Sequence, residues 1–135
     1  MAKYKFNAIY TRIVTAASAV ESGLYCSAKY EPVPEQFPAL YVEEVSSVRT
    51  PGAITLDYTD EQHRVVHEVQ VWSNLLDGAK AQADAIMDAV ETAYNAMYFR
   101  LTMKNPMPTT DRSIYRIVAR FTKQIAGGDT LPEGD

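Results

Sequence analysis

The stretch from Val65 to Met97 constrains the fold of this chain more than any other part of its sequence. Residues Val65–Trp72 alternate apolar and polar side chains and are rich in β-branched residues, a pattern typical of a strand buried on one face. A long segment follows in which apolar side chains recur at helical spacing, which predicts a helix with one buried face. That face comprises Ala79, Ala83, Ile86, Met87, Val90, Tyr94 and Met97. The stretch therefore predicts a strand leading into a long helix, with an N-cap at Asn74 or Asp77 and no catalytic motif.

The remaining segments predict one more helix and four more strands around this unit. A proline-rich connector, Tyr30–Pro38, cannot pair as a central strand. In order, the other predicted elements are a helix over about Lys3–Ser22 with Gly23 as its left-handed C-terminal residue, and strands over Leu24–Lys29, Ala39–Val45, Tyr98–Met103 and Ser113–Thr122. The order α-β-β-β-α-β-β predicts an α+β domain.

Two segments lack a continuous apolar face. Residues Ser46–Gln62 contain a Thr50-Pro51-Gly52 turn signal and the acidic residues Asp57, Asp60 and Glu61, so we expect a long hairpin or mobile loop. Residues 127–135 are polar and contain glycine and proline, which predicts a flexible C-terminal tail. We therefore expect a single domain over residues 1–126.

Composition excludes several classes of function. The chain has 135 residues, 47% apolar and 22% charged, as in an ordinary soluble domain. Its net charge of −4 argues against tight electrostatic binding of nucleic acid. The single cysteine, Cys26, permits no internal disulfide, which favours a reducing compartment. No apolar run approaches the roughly 20 residues that span a bilayer, and residues Met1–Lys5 lack the core of a signal peptide, so we expect no membrane partner.

No set of residues converges on a catalytic, cofactor or metal site. Cys26 lies on the apolar face of its predicted strand, where a buried structural thiol is expected rather than a nucleophile. His63 and His67 are four residues apart, but no third ligand accompanies them. Glu43 and Glu44 are adjacent in a strand and point to opposite faces. We therefore predict that the chain is not an enzyme and holds no cofactor or metal.

Arg116 and Arg120 are the candidates for an interaction site. Strand alternation places both on the face opposite Tyr115, Ile117 and Phe121, beside the aliphatic Ile114 and Val118. Arginines interleaved with aliphatic residues suit a protein interface. One hypothesis pairs them with acids of a neighbouring subunit, namely Glu68, Asp57, Asp60 and Glu61. The alternative is pairing with Glu68 and Gln70 across strands of the same sheet.

Several short segments between Leu24 and Lys123 carry a resemblance to a known family. They are Tyr30–Pro34 with Phe37-Pro38, Glu68–Asn74, Gly78–Lys80, Phe99-Arg100, Pro106 with Pro108, and Ile114–Phe121. In this order and spacing, the chain resembles the tail terminator proteins, also called tail-completion or minor capsid proteins, of long-tailed bacteriophages and prophages. It departs from them at Trp72, where Tyr is commoner, and at Tyr98, where a small residue is expected.

The resemblance implies both a fold and a function. The implied fold is a mixed, mainly antiparallel sheet of about four to five strands with two helices on one face. The implied function is a homo-hexameric ring at the head-proximal end of the tail tube, which stops tube polymerisation and provides the head–tail joining surface. The implied partners are the tail tube protein and a head-completion or connector protein, and DNA passes through the ring without specific binding. The implied location is the neck region of the virion tail, assembled in the bacterial cytoplasm.

Two alternative functions remain open on the sequence. The first is a different head–tail connector, such as a head-completion or stopper subunit. The second is a small thiol or ligand-binding enzyme domain that uses Cys26 or His67 in a cleft.

Overall fold

The chain folds into two helices and a five-stranded sheet. The computed structural model describes residues 4–29, 34–49, 62–109, 113–126 and 130–132. The elements are α1 (Phe6–Val20), β1 (Tyr25–Ser27), β2 (Ala39–Arg49), β3 (Gln62–Ser73), α2 (Ala79–Ala96), β4 (Arg100–Met107) and β5 (Tyr115–Ala126). The predicted α+β class and the element order are confirmed.

The sheet has the strand order β1-β2-β3-β5-β4. The short strand β1 runs parallel to β2, and all other neighbouring strands are antiparallel. Strand β3 lies at the centre because the alternating Val65–Trp72 segment can pair on both edges along its whole length. The mixed, mainly antiparallel sheet implied by the resemblance is thus confirmed.

Both helices pack on one face of the sheet, which we call the core face. Six apolar residues of β3, α2 and β5 have buried side chains at its centre. They are Val69, Val71, Ile86, Val90, Ile117 and Phe121. Helix α1 contributes Ile9, Ile13 and Ala17 from the stripe that the sequence indicated. The strand and helix periods of the sequence therefore locate the core correctly.

The predicted helix ends are wrong in detail. The residue before α2 is Gly78, in a left-handed conformation with φ of 91°, and no side chain of Asn74 or Asp77 caps the helix. A glycine is needed there because left-handed backbone is strained for other residues. Helix α1 ends earlier than predicted, since Glu21 is already extended at φ of −137°, so Gly23 does not supply the left-handed residue.

The strands run further than their sequence patterns indicate. Strand β2 continues past Val45 to Arg49 through an irregular pairing between Glu44 and Ser46, which takes four residues from the predicted loop. Strand β4 continues through Pro106, which is tolerated because β4 pairs only with β5. The rest of the predicted loop, residues 50–61 with Asp57, Asp60 and Glu61, lies outside the described residues.

Part of the predicted C-terminal tail lies against the domain. Leu131 is 2% exposed and belongs to the main hydrophobic core. The Arg12 guanidinium on α1 donates a hydrogen bond to the Pro132 carbonyl. These residues therefore pack on the fold, whereas residues 127–129 and 133–135 lie outside the described residues.

Candidate subunit interface

The face of the sheet opposite the helices, here called the outer face, carries the candidate arginines. Strand register places its residues in rows that run from β2 through β3 and β5 to β4. One row is Ala39–Trp72–Arg116–Met107, the next is Tyr41–Gln70–Val118–Asn105, and the third is Glu43–Glu68–Arg120–Met103. The predicted alternation of Arg116, Val118 and Arg120 away from the core is therefore confirmed.

Arg120 pairs with Glu68 of its own chain. Its Nε and Nη2 atoms donate to the same Glu68 oxygen, Oε1, at 3.1 and 3.0 Å. The other carboxylate oxygen of Glu68, Oε2, accepts a hydrogen bond of 2.8 Å from Gln70 Nε2. This is the cross-strand pairing that the sequence offered as the alternative to an intermolecular contact. The Arg120 side chain is still 47% exposed, so part of its guanidinium stays accessible to a partner.

Arg116 stacks on an aromatic ring. Its guanidinium carbon lies 5.7 Å from the centre of the Trp72 ring, directly across the strand pair. A cation held over a tryptophan face is attracted by the ring quadrupole. The Arg116 Nε atom is buried and has no hydrogen-bond partner among the described residues. The guanidinium thus lies against the indole ring, and one of its donors has no partner among the described residues.

A small aromatic cluster lies beside Arg116 and is separate from the main core. Ala39, Tyr41 and Trp72 are buried there, with Tyr25, Phe37 and Ile114 packed against them. The sequence marks Trp72 only as a departure from the family pattern and does not indicate this cluster. The alternation of β3 is the signal that could have located the cluster, because it places Trp72 on the same face as Gln70 and Glu68.

The middle row of the outer face is deeply buried from Tyr41 to Val118, although it includes the amide of Gln70, and only Asn105 at its end is exposed. Gln70 is 3% exposed and Val118 is 2% exposed. The Gln70 Oε1 atom has no hydrogen-bond partner among the described residues. A buried polar atom without a partner costs free energy, so such an atom is expected to meet water or another protein.

One of the predicted acidic partners, Glu68, lies among the described residues. Glu68 lies on the outer face and is held by Arg120, with Glu43 directly opposite it on β2. Asp57, Asp60 and Glu61 lie outside the described residues. The interface role of Arg116 and Arg120 with these acids therefore stays a prediction.

The residues of the enzyme alternative are unsuited to chemistry in this fold. Cys26 is partly buried against the core, and burial raises the pKa of its thiol, whereas a nucleophile needs a lowered one. His67 is fully buried on the core face, where its Nδ1 atom lies 2.9 Å from Tyr94 Oη. Burial lowers the pKa of His67 to about 4. Its Nε2 atom lies 3.5 Å from Glu44 Oε1, too far for a good hydrogen bond.

Within the described part of the chain, no group of three or more histidine, cysteine or acidic residues could hold a metal ion. Neither helix is long and apolar enough to cross a membrane.

Comparison with known proteins identifies the fold. No family model and no curated protein matches the sequence. Among solved structures, a chain in the virion of the native gene transfer agent particle has a TM-score of 0.62 at 15% identity, covering 88% of this chain and 92% of that chain. At this identity the likeness shows a shared fold. A fold found in a virion is what the resemblance to tail terminator proteins implies, and the resemblance is confirmed to that extent.

A second solved structure is more distant. The sheath/tube terminator of an extracellular contractile injection system, in its extended state, has a TM-score of 0.47 at 6% identity. The match covers 100% of this chain and 62% of that chain. A TM-score of this size does not establish a shared fold.

Proposed function

We propose that this chain is a structural protein of a phage-type virion, not an enzyme, and that it forms a ring at the head-proximal end of the tail tube. The ring stops polymerisation of the tube and provides the head–tail joining surface. The observation that carries the proposal is the fold shared with the gene transfer agent virion chain over 88% of this chain and 92% of the other. Because the match extends over nearly all of both chains, it concerns the whole domain and not one motif.

The outer face supports assembly into a closed ring. A ring needs two different patches on each subunit that meet head to tail and close by rotation. The outer face offers an aromatic cluster and two arginines, residue types that are enriched in interfaces. In this proposal the exposed part of Arg120 and the partly exposed side chain of Arg116 bind carboxylates of the neighbouring subunit. Arginine suits that role because its planar fork holds a carboxylate through two hydrogen bonds.

The proposed partners follow from the position of the ring. They are five further copies of the chain, the tail tube protein and a head-completion or connector protein. The ring is located in the neck of the virion and is assembled in the bacterial cytoplasm. DNA passes through it without sequence-specific binding.

Deletion of the gene from the phage or prophage that encodes it tests the function. Electron microscopy of the lysate is expected to show tails of uncontrolled length and heads that remain unjoined, and the parent gene supplied in trans should restore both. Tails of normal length with unjoined heads would instead identify a head-completion subunit. Particles indistinguishable from those of the parent would contradict the proposal.

A matched experiment addresses the thiol alternative. Complementation with a Cys26→Ser gene should restore tail length and joining fully, because the Cys26 thiol is partly buried and its pKa is raised by burial. Failure of this variant, with normal folding of the purified protein, would favour a chemical role for the thiol.

A further inference from the structure

A cleft of about 460 Å³ lies where β3 begins, beside the C-terminal end of α2. Among the described residues, its lining consists of Arg64, Tyr98, Arg100, Thr122, Lys123 and Gln124. Three of these six are cationic and none of the six is acidic, although the whole chain carries a net charge of −4. The positive charge of the protein is therefore unevenly distributed, and this cleft concentrates part of it.

The sheet register explains why the two arginines lie near each other. Arg64 on β3 lies opposite Gln124 of β5, and Arg100 on β4 lies opposite Thr122 of β5. The two arginines therefore flank β5, roughly 10 Å apart across the strands. Both are exposed, and neither guanidinium has an ion pair or hydrogen bond among the described residues. They are free to bind an anionic ligand.

Tyr98 occupies a backbone position that normally belongs to glycine. It follows the C-cap of α2, where its N–H donates to the Asn95 carbonyl and the next N–H, of Phe99, donates to the Tyr94 carbonyl. This pair of bonds requires a left-handed residue, and Tyr98 has a φ of 65°. A bulky residue in that conformation is strained, and strain of this kind is found disproportionately at functional positions.

The Tyr98 ring is exposed to solvent and lies beside Lys123. The residue is 69% exposed. The Lys123 ammonium lies 5.4 Å from the centre of the Tyr98 ring and 5.0 Å from that of Tyr4. The ammonium is thus positioned by two rings, while much of the Tyr98 ring remains accessible to a ligand.

We propose that this cleft binds a single strand of nucleic acid without sequence preference. Arg64, Arg100 and Lys123 contact backbone phosphates, and the exposed face of Tyr98 stacks on a base. An aromatic platform beside cations is the combination that such strands require, because every base has a π-face and every linkage a charge. An acidic peptide would use the cations alone and would have no use for a strained, exposed ring. This binding does not depend on the proposed ring function, because it is a property of the purified chain and is measured on it.

The sequence does not reveal this cleft, for two reasons. Its residues come from three separate parts of the chain, namely the start of β3, the junction between α2 and β4, and β5. The net charge is a sum over the whole chain, so the cations of the cleft are cancelled by acidic residues on other surfaces. The expectation that nucleic acid is not bound tightly still holds, because three phosphate contacts give only weak binding.

Binding of a fluorescently labelled oligothymidylate to the full chain, followed by anisotropy, tests the proposal. For three phosphate contacts the logarithm of the binding constant should fall with that of the salt concentration at a slope of about −2, and for Arg64→Gln with Arg100→Gln at about −0.7. Tyr98→Gly should weaken binding at least about fivefold. The same variant should melt at an equal or higher temperature than the parent, because glycine relieves the left-handed strain. Loss of binding without loss of stability separates a ligand contact from a structural role.

Two control variants separate contacts in the cleft from a general effect of charge and from loss of the Tyr98 hydroxyl. Lys29→Gln with Lys80→Gln changes the net charge equally on exposed residues away from the cleft, and it should leave binding unchanged. Tyr98→Phe retains the ring and should bind like the parent. The proposal is overturned if the parent does not bind the oligonucleotide at low salt, or if the control pair weakens binding as much as the arginine pair. It is also overturned if Tyr98→Gly binds like the parent, or if polyglutamate competes as well as the oligonucleotide.

Discussion

The two faces of the sheet use the same strands in the same register, yet they are buried by different means. The core face is covered by both helices, and its one buried histidine, His67, contacts the hydroxyl of Tyr94. Both helices lie on that side, but Gln70, Trp72 and Val118 on the outer face are almost as inaccessible. There, buried atoms of Gln70 and Arg116 have no hydrogen-bond partner within the described chain. On the core face His67 Nε2 is a further such atom, but that face is covered by the two helices of the same chain, whereas neither α1 nor α2 covers the outer face, which in our proposal meets another subunit.

The largest effect is expected from a charge placed on the core face. Ile86→Asp or Val90→Asp should unfold the domain, because a buried unpaired charge costs several kcal/mol, a large share of the 5–15 kcal/mol that typically separates folded from unfolded protein. Circular dichroism melting curves measure this. Ala85→Asp, on the exposed side of the same helix, is the control and should melt close to the parent. Parent-like melting of the Ile86 variant would show that this helix face is not buried.

The next effect concerns assembly through the outer face. Arg116→Glu with Arg120→Glu should keep the subunit folded and abolish most of the hexamer, because both charges that would meet the neighbour are reversed. Native mass spectrometry gives the oligomer population, and melting curves show that folding is retained. A hexamer population equal to that of the parent would show that both arginines interact only within their own sheet.

A charge exchange separates the two roles of Arg120. Glu68→Arg with Arg120→Glu restores an ion pair within the chain but presents exchanged charges to a neighbour. If Arg120 only stabilises its own sheet, this double variant should assemble like the parent. We expect it to fold and still assemble poorly, since a neighbouring carboxylate would now meet Glu at position 120.

A pH-dependent effect of intermediate size is expected on the core face. The pKa of His67 is lowered by burial from 6.5 to about 4, so the unfolded chain binds the proton more readily than the folded one. The stabilisation is therefore complete above pH 6.5 and is lost as the pH falls towards 4, by up to about 2 kcal/mol at pH 5. Urea denaturation at pH 7.5 and pH 5 measures the difference between the parent and His67→Gln.

Other groups near His67 bear on that measurement. Glu44 approaches it from β2, and burial raises the pKa of the Glu44 carboxyl, which favours the folded state as the pH falls. Tyr94, on α2, has its pKa raised by burial and stays neutral in this range. Because both groups are present in both proteins, the difference between them reports His67. An equal loss of stability in the parent and in His67→Gln would contradict the predicted titration.

The sequence predicted the core face well and the outer face only in part, for a physical reason. Apolar periodicity reports the side that meets the helices, so Val69, Ile86 and Phe121 were placed correctly. Periodicity also put Arg116 and Arg120 on one outer face, but it does not identify cross-strand neighbours. Pairing register decides that Arg120 lies opposite Glu68 and that Arg116 lies opposite Trp72.

The remaining errors arose where backbone conformation overrides side-chain preference. Polar residues before α2 suggested a side-chain cap, but the left-handed Gly78 begins the helix. Pro106 suggested the end of a strand, but an edge strand does not need its missing N–H. The sequence does not indicate the contact of His67 with Tyr94, because a lone polar residue within an alternating pattern carries no mark of its partner.

The smallest predicted effect is the stabilising contribution of the Arg120–Glu68 pair itself. Its side chains are 47% and 17% exposed, so water screens the attraction, and such pairs contribute about 0.2–1 kcal/mol. A double-mutant cycle with Arg120→Met and Glu68→Gln, followed by urea denaturation of the subunit, measures the coupling. Arg120→Met alone should cost slightly more than this coupling, because it leaves Glu68 opposite Glu43 with no cation between the strands. High salt should reduce both values. A coupling above about 2 kcal/mol would mean that the pair is shielded from water within one subunit, and the outer face would then need no neighbour to cover it.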